Sequence, residues 1–596
     1  MIDRLFNLQK LMITKKYDFF LCLSMDEHKN EYPPLLWQRR SWISGFSGSS
    51  GELLIGIKKS YFWTDGRYYV QAKNDLDSKY FEVYKTNDFF SSIDGWLEKN
   101  AKSATLAVYA KALPIFFALK IKNTMSRIGG QCIFDDTNLI DKIKKNYYGF
   151  TYKLPKKKIF LHDKKYSGIC TDHKINEIKK VMLSRGVNYL VLTMLDEIAW
   201  LLNIRGFDIE YNPLVISYFV LGIESSVLYI DKEKLTDEIA NYLQNLGIDI
   251  KEYSKFFHDL KKKYSSSNLR VWLDKKSVSY AVVQSLGDLT RKHFEDSPVK
   301  LFKSSKNIIE INGAKLAHKK DAVAIIFFMH WLEKNWKNGV DELQAEDKLL
   351  FFRKKQKKFS SLSFRTISGF AENSSIVHYA SSKVSNKKID DSNIYLLDSG
   401  AHYLEGTTDV TRTIHLGSPT QEHKIAYTSV LKGHLALKRL VFPEGCSGFQ
   451  LDSIARSHLW SKYFDYEHGT GHGVGSFLCV HEGPQSISNY YNPYELRTGM
   501  ILSNEPGVYF PNKFGVRIEN LIFIKKVKTF KNDSSFLCFE DLTYVPYASS
   551  LIDKSLLSSN EINQINCYHQ KVRKKISPLI FNKNVNSWLI NNTEPL

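Results

Sequence analysis

Four carboxylates stand where this chain would otherwise build apolar strands. Ile394 to Leu397 is an apolar run that ends on Asp398, and after a glycine-containing turn the β-branched segment "TTDVTRTIHL" carries Asp409. Glu505 closes a second apolar run just ahead of Pro506-Gly507, and Glu519 sits within "VRIENLIFI". The spacing predicts a hairpin that sets Asp398 and Asp409 on neighbouring strands, with Glu519 in mid-strand. Burying an uncompensated carboxylate is costly. Each acid taken alone reads at least as well as an exposed group or salt-bridge partner as it does as a functional one. Brought together, they would repel one another until some took up protons, unless cations filled the space between them.

Between the second and third acid lies "EHGTGHGVGSFLCVHEGP", Glu467 to Pro484, with three histidines and five glycines in eighteen residues. Glycine permits backbone conformations closed to other residues and close approach of main chain to a ligand. Imidazole carries protons near neutral pH and is a common metal ligand. Two divalent metals, shared by bridging carboxylates and one imidazole, satisfy such a set of groups.

The rest of the chain supplies the frame. At 596 residues it is too long for one hydrophobic core and should hold roughly three or four domains. Apolar content of 43% and charged content of 24% are those of a globular protein rather than a disordered or fibrous one. The net charge of +20 comes from scattered lysines, with runs such as "RKKQKK" interrupting patterned segments. It reads as a solvated surface, and neither nucleic acid nor membrane is expected as partner. Seven widely spaced cysteines contain no CxxC pair, the N-terminus lacks the pattern of a signal peptide, and no apolar run approaches eighteen residues. A cytoplasmic protein is expected.

Two stretches look alike. "KKYDFFLCLSMDEHKNE" is a β-like run ending at Asp26-Glu27, and about 170 residues later "RGVNYLVLTMLDEIAWL" ends its run at Asp196-Glu197. In each, a helical stretch precedes a strand, a polar turn and further strands, as two copies of one α/β domain would read. Polar, charged seams near 149–158 and 303–312 divide the chain into 1–152, 153–304 and 305–596. The third part opens on "INGAKLAHKKDAVAIIFFMHWLEKNW", whose apolar residues recur at helical spacing. His318 and His330 on this helix read as core or surface histidines.

The order D-x10-D, HGTGHG, an EPG turn and RIEN resembles the pita-bread metallopeptidases, and most closely the three-domain cytosolic type of aminopeptidase P. "RRSWISGFSGSSG" and "WTDGRYYVQA" look like its first domain, "LDEIAWLLNIRGFDIEYNP" like its second, and "SIVHYA", "EHGTGHGVGSFLCVHEGP" and "FEDLTYVPY" like its catalytic domain and C-terminal extension. The resemblance implies an α/β (α+β) architecture of two creatinase-like N-terminal domains and a pita-bread catalytic domain. It implies a metal set of Asp398, Asp409, His472, Glu505 and Glu519 holding two divalent ions, Mn²⁺ or Zn²⁺.

By the same resemblance the substrate is a peptide with N-terminal Xaa-Pro, from which one residue is released. Glu505 is the general base, His378 and His481 support the tetrahedral state, and His468 is a helper beside the substrate. A homodimer is expected, with the apolar stretches of Leu542 to Leu596 available to a partner surface. The alternatives are a prolidase-like dipeptidase and a metal-free pita-bread binding protein. Three positions depart from the family pattern: Cys479 where Asn is common, Ser381 where Pro is common, and Asp541 where Pro is usual. None is a ligand, but Cys479 stands close enough in sequence to bear on metal preference or oxidative sensitivity.

Overall fold

Strands Phe19–Cys22 and Tyr189–Leu192, the apolar runs of the two similar stretches, each sit inside a six-stranded sheet. The first sheet runs in the order Phe81–Lys85, Ser60–Thr64, Glu52–Gly56, Phe19–Cys22, Thr105–Tyr109, Gln131–Asp135. The second runs Ile248–Lys251, Ser226–Ile230, Ser217–Gly222, Tyr189–Leu192, Arg270–Leu273, Arg291–Phe294. Strand directions match step for step: parallel, antiparallel, antiparallel, parallel, parallel. Central strands covered on both faces must be apolar throughout, which is why the repeat is visible in just these runs. After the strand the copies differ: Asp196 and Glu197 lie in helix Leu195–Leu202, whereas Asp26 and Glu27 lie in a loop, against the expectation of a polar turn in both.

The computed structural model describes residues 2–527 and 535–596. They fall into two compact units, Met1–His162 with Ile169–Lys300, which holds both six-stranded sheets, and Asp163–Gly168 with Leu301–Leu596. Among the described residues no helix is long and apolar enough to cross a membrane.

The second unit is built on helix Ile308–Asn335. Asn307 caps it, its side chain accepting from the backbone N–H of Ile309 and Glu310 while Glu310 reaches back to the N–H of Asn307. His318 is buried against the carbonyl of Ala314 and His330 is half-buried, as a core and a surface position would be. A glycine is required at 313, where an added Cβ would stand 2.4 Å from the Glu405 carbonyl oxygen. This close approach lets the short strands Ala401–Tyr403 and Gly406–Thr407 lie on the helix.

Beside them, Ile367–Phe370, Ile394–Ser399 and Val410–His415 form a three-stranded antiparallel sheet. Ile501–Asn504, Asn520–Val527, Phe536–Asp541 and Val441–Pro443 form a four-stranded one. The C-terminal extension packs into its own unit. Leu542, Tyr544, Val545, Tyr547, Leu551, Val585 and Leu589 are buried, and all but Leu542 belong to one core with Val323, Tyr427 and Val516. The apolar stretches expected to face a partner are therefore largely used within the chain itself, because the extension closes a core that the strands leave open.

Candidate metal centre

Asp398 lies at the end of strand Ile394–Ser399, opposite Thr411 of the antiparallel neighbour. The connection is not a simple hairpin. Residues 401–407 leave to pair with Phe359–Leu362 and return, so Asp409 stands one residue ahead of strand Val410–His415. Glu519 is likewise not in mid-strand. It falls between Phe514–Arg517, which pairs with Gly507–Phe510, and Asn520–Val527, which pairs with Ile501–Asn504. There its backbone N–H donates to the Thr411 carbonyl at 3.2 Å and one carboxylate oxygen accepts from the Thr411 hydroxyl at 2.8 Å. A residue between two ladders is free of the alternation that strands impose, and both acids use that freedom to turn inward.

Glu505 follows strand Ile501–Asn504. Its N–H donates to the Thr470 carbonyl at 2.8 Å, and Ser503 Oγ donates to its Oε1 at 2.9 Å. His472 sits in the two-residue strand Gly471–His472, with its N–H donating to Ser503 Oγ at 2.9 Å. The glycines around it serve a different end from the one the sequence suggested. None of the five adopts positive φ. An added Cβ on Gly471 would stand 2.0 Å from the Ser503 carbonyl oxygen, and one on Gly473 would stand 2.0 Å from that of Glu482. They bring the histidine loop against the strand that carries Glu505 and against its own return.

The result is a cluster. One ligand atom each of Asp409, His472 and Glu519 lies within 4.8 Å of the others. His472 Nε2 is 3.5 Å from Asp409 Oδ2 and 3.4 Å from Glu505 Oε1. Asp398 is joined to the cluster through Arg517, whose Nη2 donates to Asp398 Oδ2 at 2.7 Å and whose Nε donates to Thr411 Oγ1 at 3.2 Å. Arg517 Nη1 donates to the Tyr509 hydroxyl at 2.6 Å, and that hydroxyl is 2.8 Å from His468 Nε2. His481 is exposed and stands edge-on to His472, ring centroids 4.5 Å apart. His378 is half-buried and follows Val377, whose carbonyl lies 3.4 Å from Arg517 Nη2.

Electrostatics test whether this set of residues fits metal. Burial pushes the Asp398 carboxyl up to about 6, with the Asp409 charge adding to the rise and Arg517 opposing it. Burial and the charge of Asp409 raise Glu505, and burial with the charges of Asp409, Glu505 and Asp398 raises Glu519 well above the ordinary carboxylate range. Burial alone would lower His472, yet its hydrogen bond to Asp409 and the charge of Glu505 carry it up to about 9. The cluster pulls positive charge onto its imidazole. Asp398 Oδ1, Asp409 Oδ1 and Glu519 Oε1 are buried and accept no hydrogen bond. Such oxygens are costly to leave unsatisfied. Carboxylates with one imidazole are hard donors that suit Mn²⁺ or Zn²⁺, and the set fits them.

Residues 312–526 match the family described as "Metallopeptidase family M24", and 535–596 match "C-terminal region of peptidase_M24". Residues 4–143 and 152–310 each match a family described as "Creatinase/Prolidase N-terminal domain". Xaa-Pro aminopeptidase 1 of Dictyostelium discoideum is 39% identical over 99% of this chain and 96% of its own length. The chain belongs to metallopeptidase family M24. A second relative, aminopeptidase P2 of Arabidopsis thaliana, is 36% identical over 97% of this chain and 86% of that protein. The fold matches a Caenorhabditis elegans X-prolyl aminopeptidase with a TM-score of 0.95, at 32% identity and over 100% of this chain and 99% of that one. That enzyme is described as cytosolic with a di-nuclear active site. A Xaa-Pro dipeptidase from Bacillus anthracis matches 63% of this chain and 98% of its own at 22% identity, TM-score 0.51, and shares the fold.

Arg517, Tyr509 and Thr411 support this site by hydrogen bonds and are not among the residues that the sequence pattern singles out. The signal was present: Arg517 stands two residues before Glu519 in the same apolar run, and a buried arginine there is as unusual as a buried acid.

Replacing Glu519 with glutamine keeps an oxygen for the Thr411 hydroxyl and removes a carboxyl from the repelling cluster. In metal-free protein at pH 8, Glu519→Gln is expected to melt at or above the temperature of the unmodified chain. Mn²⁺ at a hundredfold its dissociation constant should stabilise the unmodified chain by about 2.7 kcal/mol and leave Glu519→Gln unmoved. Equal shifts in differential scanning calorimetry would remove Glu519 from the ligand set.

Proposed function

We propose that this protein is a dinuclear metalloaminopeptidase that releases the N-terminal residue from peptides with proline in second position. The observation that carries the reading is the five-residue set Asp398, Asp409, His472, Glu505 and Glu519, in a chain that aligns end to end with enzymes named Xaa-Pro aminopeptidase. Three buried acids with unsatisfied oxygens, Asp398, Asp409 and Glu519, argue against a metal-free binding protein, which would bear their electrostatic cost without using them.

Divalent cations held by the five ligands would supply Lewis-acid charge that acidifies a water and polarises the scissile carbonyl. The side chains do the rest. Glu505, fixed by Ser503 Oγ, accepts the proton of the attacking water and passes it to the departing proline nitrogen. His481, exposed beside His472, and His378, next to the carbonyl bound by Arg517, donate hydrogen bonds to the oxyanion of the tetrahedral state. His468, held by Tyr509, lines the substrate side. An Xaa-Pro bond is a tertiary amide without N–H, so recognition cannot rely on a peptide donor, and imidazole donors to the carbonyl answer that limit.

The same reading takes the chain as three domains, 1–152, 153–304 and 305–596, in support of which each of the first two holds one complete copy of the repeated sheet. It takes the protein as cytoplasmic, the compartment given for the C. elegans enzyme. Neither nucleic acid nor membrane is part of it. It takes the protein as a homodimer, and support comes from exposed aromatic side chains bordering helix Gly448–Trp460: Phe449, Trp460, Tyr463 and Tyr491. Sedimentation equilibrium should then give twice the 68.9 kDa chain mass, and a monomer at low and moderate salt alike would refute the pairing.

With manganese loaded, the enzyme should remove one residue from Xaa-Pro-Yaa peptides, Arg-Pro-Pro among them, and leave Leu-Gly peptides nearly untouched. Equal rates on both would refute the proline specificity, and action confined to dipeptides would make it a prolidase-like dipeptidase. His472→Ala should lose metal, whereas His378→Ala and His481→Ala should keep it and lose turnover by roughly 10²–10⁴-fold. Metal loss in all three would show that the imidazoles have been divided wrongly.

A further inference from the structure

Glu505 and Glu519 each border a fully buried asparagine, Asn504 and Asn520, and these two stand directly opposite one another in the antiparallel strand pair. Both are held from behind. Asn504 Nδ2 donates to the His434 carbonyl at 2.9 Å, and His434 Nδ1 donates back to the Asn504 carbonyl at 3.1 Å. That leaves His434 Nε2 as an acceptor, 3.1 Å from the Tyr547 hydroxyl. The Tyr547 oxygen in turn accepts from Asn520 Nδ2 at 3.2 Å. Burial and the nearby Arg412 push His434 down to about 3, so the imidazole is neutral and the direction of every bond in this chain is determined.

Arg412 completes the ring. It is 2% exposed, and its N–H groups meet only neutral oxygens: Thr411 and Glu519 carbonyls at 2.8 and 2.7 Å, Asn520 Oδ1 at 2.8 Å, Val545 and Pro546 carbonyls at 2.7 and 3.0 Å, and the Tyr568 hydroxyl at 3.1 Å. The Tyr568 hydroxyl donates to the Val545 carbonyl at 2.8 Å. Four of these residues, Val545, Pro546, Tyr547 and Tyr568, belong to the C-terminal extension. From its own strand beside Asp409, one arginine thus binds the backbone of Glu519, the side chain of the residue after it, and the extension at once.

We infer that the C-terminal extension is a positioning element of the metal centre, holding the strand pair of Glu505 and Glu519 in register through Arg412 and Tyr547. The inference rests on the reading that these two glutamates are metal ligands. A core that only needed closing would use apolar contacts here. Instead the extension presents two backbone carbonyls and two hydroxyls, each engaged with a group one or two bonds from a ligand-bearing residue. Outer partners of metal ligands hold them in the geometry that the ion requires.

The test measures Mn²⁺ uptake by chelator-stripped protein in titration calorimetry, with circular dichroism to confirm folding. Tyr547→Phe keeps the ring and removes the hydroxyl between His434 and Asn520. Arg412→Lys keeps the charge and loses the fork. Tyr547→Phe should weaken Mn²⁺ binding about 10-fold and Arg412→Lys up to about 100-fold, both folded, with activity recovering as Mn²⁺ is raised. Tyr544→Phe, in the same segment but outside the network, should bind as the unmodified chain does. If Tyr547→Phe folds and binds Mn²⁺ with unchanged affinity, the inference is overturned. That holds even if Arg412→Lys fails to fold. If the unmodified chain takes up neither Mn²⁺ nor, in a parallel titration, Zn²⁺, the proposed function itself falls, a result distinct from the other.

Discussion

Repulsion between buried carboxylates governs the catalytic unit. Asp398, Asp409, Glu505 and Glu519 are pressed together with one arginine and one imidazole among them, too little positive charge to balance four acids. Without metal, the fold must hold this arrangement against its own electrostatics. The surroundings are accordingly rich in buried polar ties. Arg353 pairs with Asp321 in a two-pronged bridge and donates to the Ser399 and Gly400 carbonyls, gripping the strand end just beyond Asp398. Lys303 and Lys306 hold Glu482, the neighbour of His481, at 3.1 and 2.6 Å. Arg412 and Tyr547 hold the glutamates. Buried ion pairs are weak devices for stability, and are better understood as fixing one arrangement among several.

Function follows from that rigidity. A site whose ligands are held before metal arrives loses little when it binds, and the hydrogen-bond donors beside it need no rearrangement as charge develops on the substrate. His481 is exposed and His378 half-buried, in keeping with the proposed contact between them and the peptide. The exposed His481 ring stands perpendicular to the half-buried His472 ring, where the proposed roles pass from holding metal to meeting substrate.

Much of this was legible in the chain. The two N-terminal sheets were visible because their central strands are covered on both faces and must be apolar, which leaves an unbroken run in each copy. The site was visible because acids in apolar runs are expensive and so rarely accidental. Strand limits were less legible: Asp409 and Glu519 sit where the chain passes from one ladder to another, and period-two patterning cannot mark such a crossing. The glycines of the histidine loop were recognised, but their purpose was close packing against Ser503 and Glu482 rather than unusual dihedral angles. Arg412 and Tyr547 were invisible as a pair, since 134 residues separate Arg412 from Pro546 and only the closed fold brings them together. The apolar extension suggests a partner surface in sequence and covers its own unit in the fold, because hydrophobicity alone does not say which face it will cover.

The central claim is that five side chains, two Asp, one His and two Glu, hold a pair of divalent ions. Anomalous diffraction from crystals grown with Mn²⁺ tests it most directly. The account predicts two manganese peaks, about 3.5–4 Å apart as in other two-metal sites, one or both contacting each of Asp398, Asp409, His472, Glu505 and Glu519. A single peak, or a pair that leaves Asp398 bound to Arg517 alone, would contradict it.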